Sequence, residues 1–289
     1  MSETAEHQNT GAIVPRNIDF ELGEDVTYDW HDKGPGVSNF FNVLSLLFPE
    51  GEKFFVISAR HYANRVTDEQ ERKDLRGFMT QEMLHTREHV EYNTMLTRYG
   101  VKTEAMNEEL KRILVGFKKN LPPSFALAAT ASLEHWTAIQ AEHVLDDKRV
   151  VGNAHPKMTA LWSWHAIEES EHKAVCFDLL KKVTGGGLWF YTLRNLVHIF
   201  TIPPLFAIIV LWYLRVSNQT GQLWNVKEHL RLLWNLFVTP GIASRIAVPW
   251  LRYFKPGFHP WDNDNSHHIR QWDDEAPDRS HPPARFNPA

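Results

Sequence analysis

QEMLHTREH, residues 81–89, is the stretch on which the fold turns; DLRGFMT (74–80) precedes it and VEYNTMLTRYG (90–100) follows. At helical spacing, Phe78, Glu82, His85, His89, Tyr92 and Leu96 fall on one stripe. The stripe is apolar at both ends and carries a carboxylate and two imidazoles in its middle. Burying such groups among Phe, Tyr and Leu is unfavourable unless they are paired or bind a metal ion. Glu82 and His85 form an E-x-x-H pair, which places both side chains on one helical face about one turn apart.

The same pattern recurs in HAIEESEH, residues 165–172. There Glu169 and His172 lie in a seam with Met158, Trp162, His165, Cys176 and Leu179. Two E-x-x-H pairs alone are a weak signal; their place in apolar seams gives them weight. Two further helical segments each put one carboxylate in such a seam. Glu52 falls with Phe55, Ala59 and Tyr62, and Glu134 with Leu127, Ala131, Ala138 and Ala141. The order is Glu, E-x-x-H, Glu, E-x-x-H, one group per helix. Four-helix bundles that hold two metal ions use this arrangement. The separations, 30 residues from Glu52 to Glu82 and 35 from Glu134 to Glu169, fit a duplicated helix pair.

Three points stay open. Glu168 is a second choice beside Glu169, since both can be drawn into the seam. His165 and His89 are both candidates for a seventh ligand or for a hydrogen-bonding role behind the ligands. Glu52 follows a Pro-Glu-Gly break at 49–51 and could instead serve a helix N-terminus. The bland alternative for the whole set is a series of solvated helix charges.

Working outward, the rest of the chain supports an all-α protein. SNFFNVLSLLF (38–48) reads as a short helix that the proline at 49 should end. A helix resumes over residues 52–66, a second long one runs from about Asp68 to Gly100, and an amphipathic connector covers 103–121. Pro122 and Pro123 open the next helix, and the fourth long helix extends from His155 to Val183 before TGGG. No alternating strand pattern appears. The domain boundaries expected are an N-terminal arm over 1–37, the metal-bearing bundle over 38–187, an apolar helical region over 188–258 and a polar tail over 259–289 with little to build a core.

LVHIFTIPPLFAIIVLWYL, residues 196–214, has 19 residues without Asp, Glu, Lys or Arg, and Arg194 and Arg215 flank it. That length can cross a bilayer core, although His198 and the Pro203–Pro204 pair argue against a straight span. A membrane surface attachment, a span and a buried helical hairpin are the three readings. The 289 residues suffice for one well-buried core, and a formal charge of −4 gives no reason to expect a nucleic-acid partner. The single cysteine, Cys176, and an N-terminus without an apolar leader place the chain in the cytoplasm, with attachment to the inner face of the membrane as the variant the apolar region suggests. A homodimer is among the assemblies the sequence allows. Histidine, present 16 times, is the commonest metal ligand.

FFNVLSLLFPEGEKFFVISARHY, QEMLHTREHVEYN, HAIEESEHKAVCFDLL and YFKPGFHPWD resemble the bacterial proteins described as predicted metal-dependent hydrolases, over about residues 30–262. That resemblance implies a ferritin-like fold and a metal-dependent reaction. The ligand order also resembles that of the di-iron p-aminobenzoate N-oxygenases, in which a Glu, an E-x-x-H, a Glu and an H-x-x-x-E-x-x-H supply seven ligands. On that resemblance Glu52, Glu82, His85, Glu134, His165, Glu169 and His172 are the ligands, which favours His165 over His89. The apolar region after residue 187 departs from those oxygenases and puts a soluble amino-arene substrate in doubt.

Carboxylate-rich sites with imidazoles suit iron or manganese. The expectation is two iron ions, with manganese/iron or zinc as alternatives, and dioxygen-dependent oxidation of an apolar or lipid-like small molecule. No catalytic residue beyond the ligands stands out, and no flavin or nucleotide motif is present, so an electron-donor protein is implied. A metal-dependent hydrolase is the first alternative and non-catalytic metal binding the second.

Overall fold

A computed structural model describes residues 13–276, 278 and 280–282. Residues 1–12 of the arm, and 277, 279 and 283–289 of the tail, lie outside the described residues. The described chain is all-α, with no strand among them. Its helices are α1 (Pro35–Arg60), α2 (Glu69–Arg98), α3 (Thr103–Asn120), α4 (Pro123–Asp146), α5 (Pro156–His172), α6 (Val175–Thr184), α7 (Gly187–Gln219), α8 (Val226–Phe237), α9 (Ile242–Arg252) and α10 (Ser266–Glu275).

The start and stop signals act where the sequence puts them. Asp68 caps α2 by accepting from the backbone N–H of Glu71 at 2.9 Å. Gly100 follows α2 with φ +86°, a conformation that favours glycine. Pro123 opens α4.

The expected break at Pro49 does not occur, and α1 runs through it. An interior proline cannot donate to the carbonyl four residues back, here that of Ser45. The Asn93 side chain of α2 fills the gap, donating from Nδ2 to the Ser45 carbonyl at 3.1 Å. Glu52 therefore lies inside a helix and not at its start. The fourth long helix, conversely, is interrupted: α5 ends at His172 and α6 begins at Val175. At the interruption Lys173 is buried. Its Nζ donates to the Asn263 carbonyl at 2.6 Å and the Asn265 side chain at 2.7 Å, and it lies 3.9 Å from the Trp261 ring centroid.

The pairs α1–α2 and α4–α5 pack most closely, with α1 against α4 and α2 against α5 completing the group. Two apolar clusters form along these helices. One holds Leu46, Tyr92, Val144 and Trp162; the other holds Phe55, Phe78, Leu127 and Cys176. On every helix the acidic position falls between the residues of the first cluster and those of the second. The polar layer thus divides the core. α7 lies along α4 and α1, α8 packs on α1, α9 on α4, and α10 on α5.

The ends of the chain join the core more fully than their composition suggests. Ile18, Phe20, Leu22 and Trp30 of the arm are buried, and so are His268, Ile269 and Trp272 of α10. The expectation of a tail without core residues fails for α10: its apolar side docks on α5 while its many charges face outward.

Candidate metal centre

Each of the four central helices delivers its carboxylate to the layer between the two clusters. Glu52 (α1), Glu82 and His85 (α2), Glu134 (α4), and His165, Glu169 and His172 (α5) are all buried. Donor atoms of Glu82, His85, Glu169 and His172 lie within 4.8 Å of one another, a separation that one shared ion can span, and those of Glu52, His89 and His165 form a second such group. The groups adjoin at Glu169, whose Oε1 is 3.1 Å from His165 Nε2, 3.7 Å from His85 Nδ1 and 3.9 Å from His172 Nε2. His172 reaches Glu82 Oε1 at 3.2 Å through Nε2 and Glu134 Oε2 at 2.8 Å through Nδ1.

The electrostatics are those of crowded acids away from water. Burial, with the neighbouring carboxylates of Glu134 and Glu169, pushes the Glu82 carboxyl well above its usual range. Burial does the same at Glu52, aided by Glu169 and Glu134. Glu169 is the exception: against the effect of burial, His172, His165 and His85 hold it down to about 2. His172 is raised to about 9, because Glu134 and Glu169 outweigh the opposing effect of burial.

The donor set fits cations. Glu52 Oε1, both oxygens of Glu82, His85 Nδ1, Glu134 Oε1, His165 Nε2 and His172 Nε2 are buried and lack a hydrogen-bond partner. Native proteins rarely leave buried polar atoms unsatisfied; others are scattered through the protein, such as Asn42 Nδ2, His143 Nε2 and Thr201 Oγ1, but these seven gather in one layer. Two divalent cations would satisfy them and offset the four carboxylates.

The residues behind this set hold it in place. His85 Nε2 lies 3.0 Å from Glu168 Oε2. Glu168 Oε1 in turn accepts from the Arg16 backbone N–H at 2.8 Å, with the Arg16 guanidinium at 3.5 Å. Arg16 also pairs with Glu171 at 2.6 Å and Asp273 at 2.9 Å. His89 donates or accepts at His165 Nδ1 (2.9 Å) through Nε2 and at Ser45 Oγ (2.9 Å) through Nδ1. Both of its ring nitrogens are therefore engaged, although it sits within reach of Glu52. Thr86 donates to Glu52 Oε2 at 2.9 Å, and Thr137 donates to Glu169 Oε2. Supports of this kind fix the orientation and basicity of metal ligands.

An apolar cavity of about 220 Å3 opens beside this layer, with Glu52, His165, Glu169 and Thr137 in its wall. Apart from Gln140 and Thr201 the remaining lining is apolar: Phe48 and Phe55 of α1, Leu114 and Phe117 of α3, Leu133 and Trp136 of α4, and Leu205 and Ile209 of α7 are examples.

A family model described as "Predicted metal-dependent hydrolase" matches residues 14–264. The chain belongs to the predicted metal-dependent hydrolase family. No curated protein and no solved structure matches it. The match bears on the first resemblance drawn from the sequence and says nothing of ferritin-like proteins or N-oxygenases. Its span takes in Arg16, all seven candidate ligands and α7 to α9, and stops before α10. For a member of a metal-dependent family, the two buried groups of close carboxylate and imidazole donors are candidates for the metal site, as is a more exposed group of Asp146, His267 and His268.

Sequence reading brought the seven candidates to one layer but missed their supports. Arg16 lies in a polar arm without a motif. Thr86 and Thr137 are ordinary helix residues in sequence, and only their spacing of four from Glu82 and three from Glu134 could have drawn notice.

Proposed function

We propose that this member of the predicted metal-dependent hydrolase family is a dinuclear metal enzyme that uses dioxygen to oxidise an apolar or amphipathic small molecule. The observation that supports the reading most is the layer of buried, unpartnered carboxylate and imidazole atoms, which reaches the wall of an apolar cavity through Glu52 and His165. Two iron ions would supply the redox equivalents for dioxygen, and two zinc ions would instead activate water for hydrolysis. Glu52, Glu82, His85, Glu134, His165, Glu169 and His172 would hold the pair. Glu169, facing three imidazoles, takes the central position, with Glu82 across from it. Glu52 and Glu134 hold the outer sides.

Around them the chain's own groups do defined work. Glu168 keeps a proton or a hydrogen-bond acceptor at His85 Nε2, so that Nδ1 faces the layer. His89 does the same for His165 Nδ1. Thr86 and Thr137 fix one oxygen each of Glu52 and Glu169. Phe48, Trp162 and Leu133 exclude water from the side where substrate would lie, which strengthens every electrostatic contact there. No flavin or nucleotide motif occurs in the sequence, so reducing equivalents would come from a partner protein.

The family's description favours the second reading, hydrolysis, and the comparison supports it better than oxidation. Against it, apart from the candidate ligands the cavity wall offers only the weak acids Thr137, Thr201, Gln140 and Trp162 as proton donors for a leaving group. Metal analysis with oxygen-uptake measurements decides. Two irons per chain, with dioxygen consumed after reduction and accelerated by a medium-chain alcohol or amine, support oxidation. Zinc-loaded protein that cleaves p-nitrophenyl esters and takes up no dioxygen overturns it in favour of the hydrolase.

A further inference from the structure

The helices after residue 187 are apolar on their outward faces as well as on their inward ones, where Leu193, Val197, Ile202, Trp212 and Ile246 are buried. On α8, Glu228, Leu232 and Asn235 are buried, while Leu230, Leu233, Trp234 and Phe237 are exposed. On α7, Arg194, His198 and Ser217 face the protein, and Leu196, Ile199, Phe200, Val210, Leu211 and Leu214 face outward. With the exposed Pro203 and Phe206, the outward positions 196, 199, 203, 206, 210 and 214 of α7 recur at three- and four-residue intervals and form one stripe along the helix. Val248 and Leu251 of α9 add to the same outward apolar character. A helix on a water-facing surface carries polar residues on its outward side. Contiguous apolar surface on this scale marks a contact with a partner or a membrane.

Charge points to the membrane. The whole chain carries −4, yet residues 188–258 hold Arg194, Arg215, Lys227, Arg231, Arg245, Arg252 and Lys255 against the single acid Glu228. Lys227, Arg252 and Lys255 are exposed beside the apolar residues. Basic residues fringing exposed Leu, Phe and Trp are what anionic lipid headgroups bind. α7 is the one described helix long and apolar enough to cross a bilayer, but a third of its apolar window is buried in the protein, and it packs along α4 and α1. With one face committed to the protein, it fits the membrane surface and not a span.

The cavity meets this surface. Phe200, Pro204, Leu205 and Ile208 of α7 belong to its lining, and Phe200 and Pro204 are exposed, as is Ile113 on the facing helix α3. The opening between α3 and α7 therefore borders the outward apolar stripe. We propose that α7, α8 and α9 form a face that seats on an anionic lipid bilayer, and that the acyl chain of a membrane lipid passes laterally between α3 and α7 into the cavity. The acyl chain as substrate rests on the enzymatic reading above; the bilayer contact does not. Phe200 and Ile113 flank the passage, and Glu52, His165 and Glu169 wait at its inner wall.

The test uses the full-length, metal-loaded protein and vesicles of phosphatidylcholine with a minor share of phosphatidylglycerol. The protein should float with these vesicles, less so with phosphatidylcholine alone. The double variant Leu211→Glu, Trp234→Glu should lose at least about tenfold in vesicle partitioning while keeping metal content and helical circular dichroism. Should that variant fail to fold, the unaltered protein still answers: a phosphatidylglycerol with a diazirine near the acyl terminus should label peptides of α7 and α8, and cavity residues such as Phe117 and Leu133. Failure to float with either vesicle overturns the membrane contact. So does a soluble dimer that the Glu substitutions turn into monomers, because the face then belongs to a second copy. Flotation with labelling confined to α7 and α8 overturns lateral access. Glu134→Gln, which lowers metal content, should float like the unaltered protein, so loss of the metal reading leaves the membrane result distinguishable.

Discussion

Glu168 Oε2 stands 3.0 Å from His85 Nε2, so the acid adjacent to the central Glu169 grips an imidazole from behind. The two neighbours then have different duties, and substitution should separate them. Glu169→Gln removes the carboxylate that faces His85, His165 and His172, and should abolish tight binding of at least one ion. Glu168→Gln should leave the stoichiometry intact and weaken affinity by about 10–100-fold, the usual cost of a lost supporting partner. Metal titration followed by elemental analysis distinguishes them. Equal losses from both variants would place Glu168 among the ligands.

Removing metal should cost stability. Ions held at a hundredfold excess over Kd add about 2.7 kcal/mol, which for a chain of this kind is about 5–10 °C in melting temperature. Chelation should lower the melting point by that amount, and restored Fe(II) or Mn(II) should recover it. An unchanged melting curve would mean that the layer carries no ion in the folded protein.

A pair of histidines away from the centre should make the fold acid-sensitive. Burial brings His135 down to about 4 and His198 to about 3. Both remain neutral in the folded chain down to those values, whereas the unfolded chain takes up protons below about 6.5. The stability they contribute is present above the unfolded value and is lost as pH falls below it. Between pH 7 and pH 5 the loss is on the order of 2–4 kcal/mol for the two together. Urea denaturation of the unaltered protein and of His135→Phe, His198→Phe at both pH values measures it. The double variant should show the flatter dependence, and parallel curves would exclude these two residues as the cause.

Asn93 should matter because of Pro49. Its Nδ2 donates to the Ser45 carbonyl that the proline leaves without a helical partner. Asn93→Ala should destabilise by about 1–3 kcal/mol. In a Pro49→Ala background the new N–H can take up that carbonyl, and the cost should shrink. A double-mutant cycle in denaturant gives the coupling, and full additivity would remove Asn93 from the account.

The same proline shows where the sequence was legible and where it was not. The helix type, the four acidic seams and the two E-x-x-H pairs were readable because they depend on periodicity within a segment. Glu82, His85 and Glu134 lie in the middle of long helices and could not be displaced by a small error of register. The continuity of α1 was not readable, because it depends on a side chain 44 residues away. Arg16 and the docking of α10 fail for the same reason: each rests on a contact between distant segments with no local pattern, whereas the supporting role of His89 was one of the two open to it from the sequence. Glu168 and Glu169 could not be ranked by their geometry along one helix, since only the position of Arg16 and of the three imidazoles separates them.

Arg16 joins Glu168 near the centre to Asp273 on the last helix, partners that lie 152 and 257 residues along the chain. The support of His85 is thus held by the arm through Arg16, which α10 braces in turn. Loss of either the arm or α10 should therefore reach the layer through His85, although neither contributes a candidate ligand.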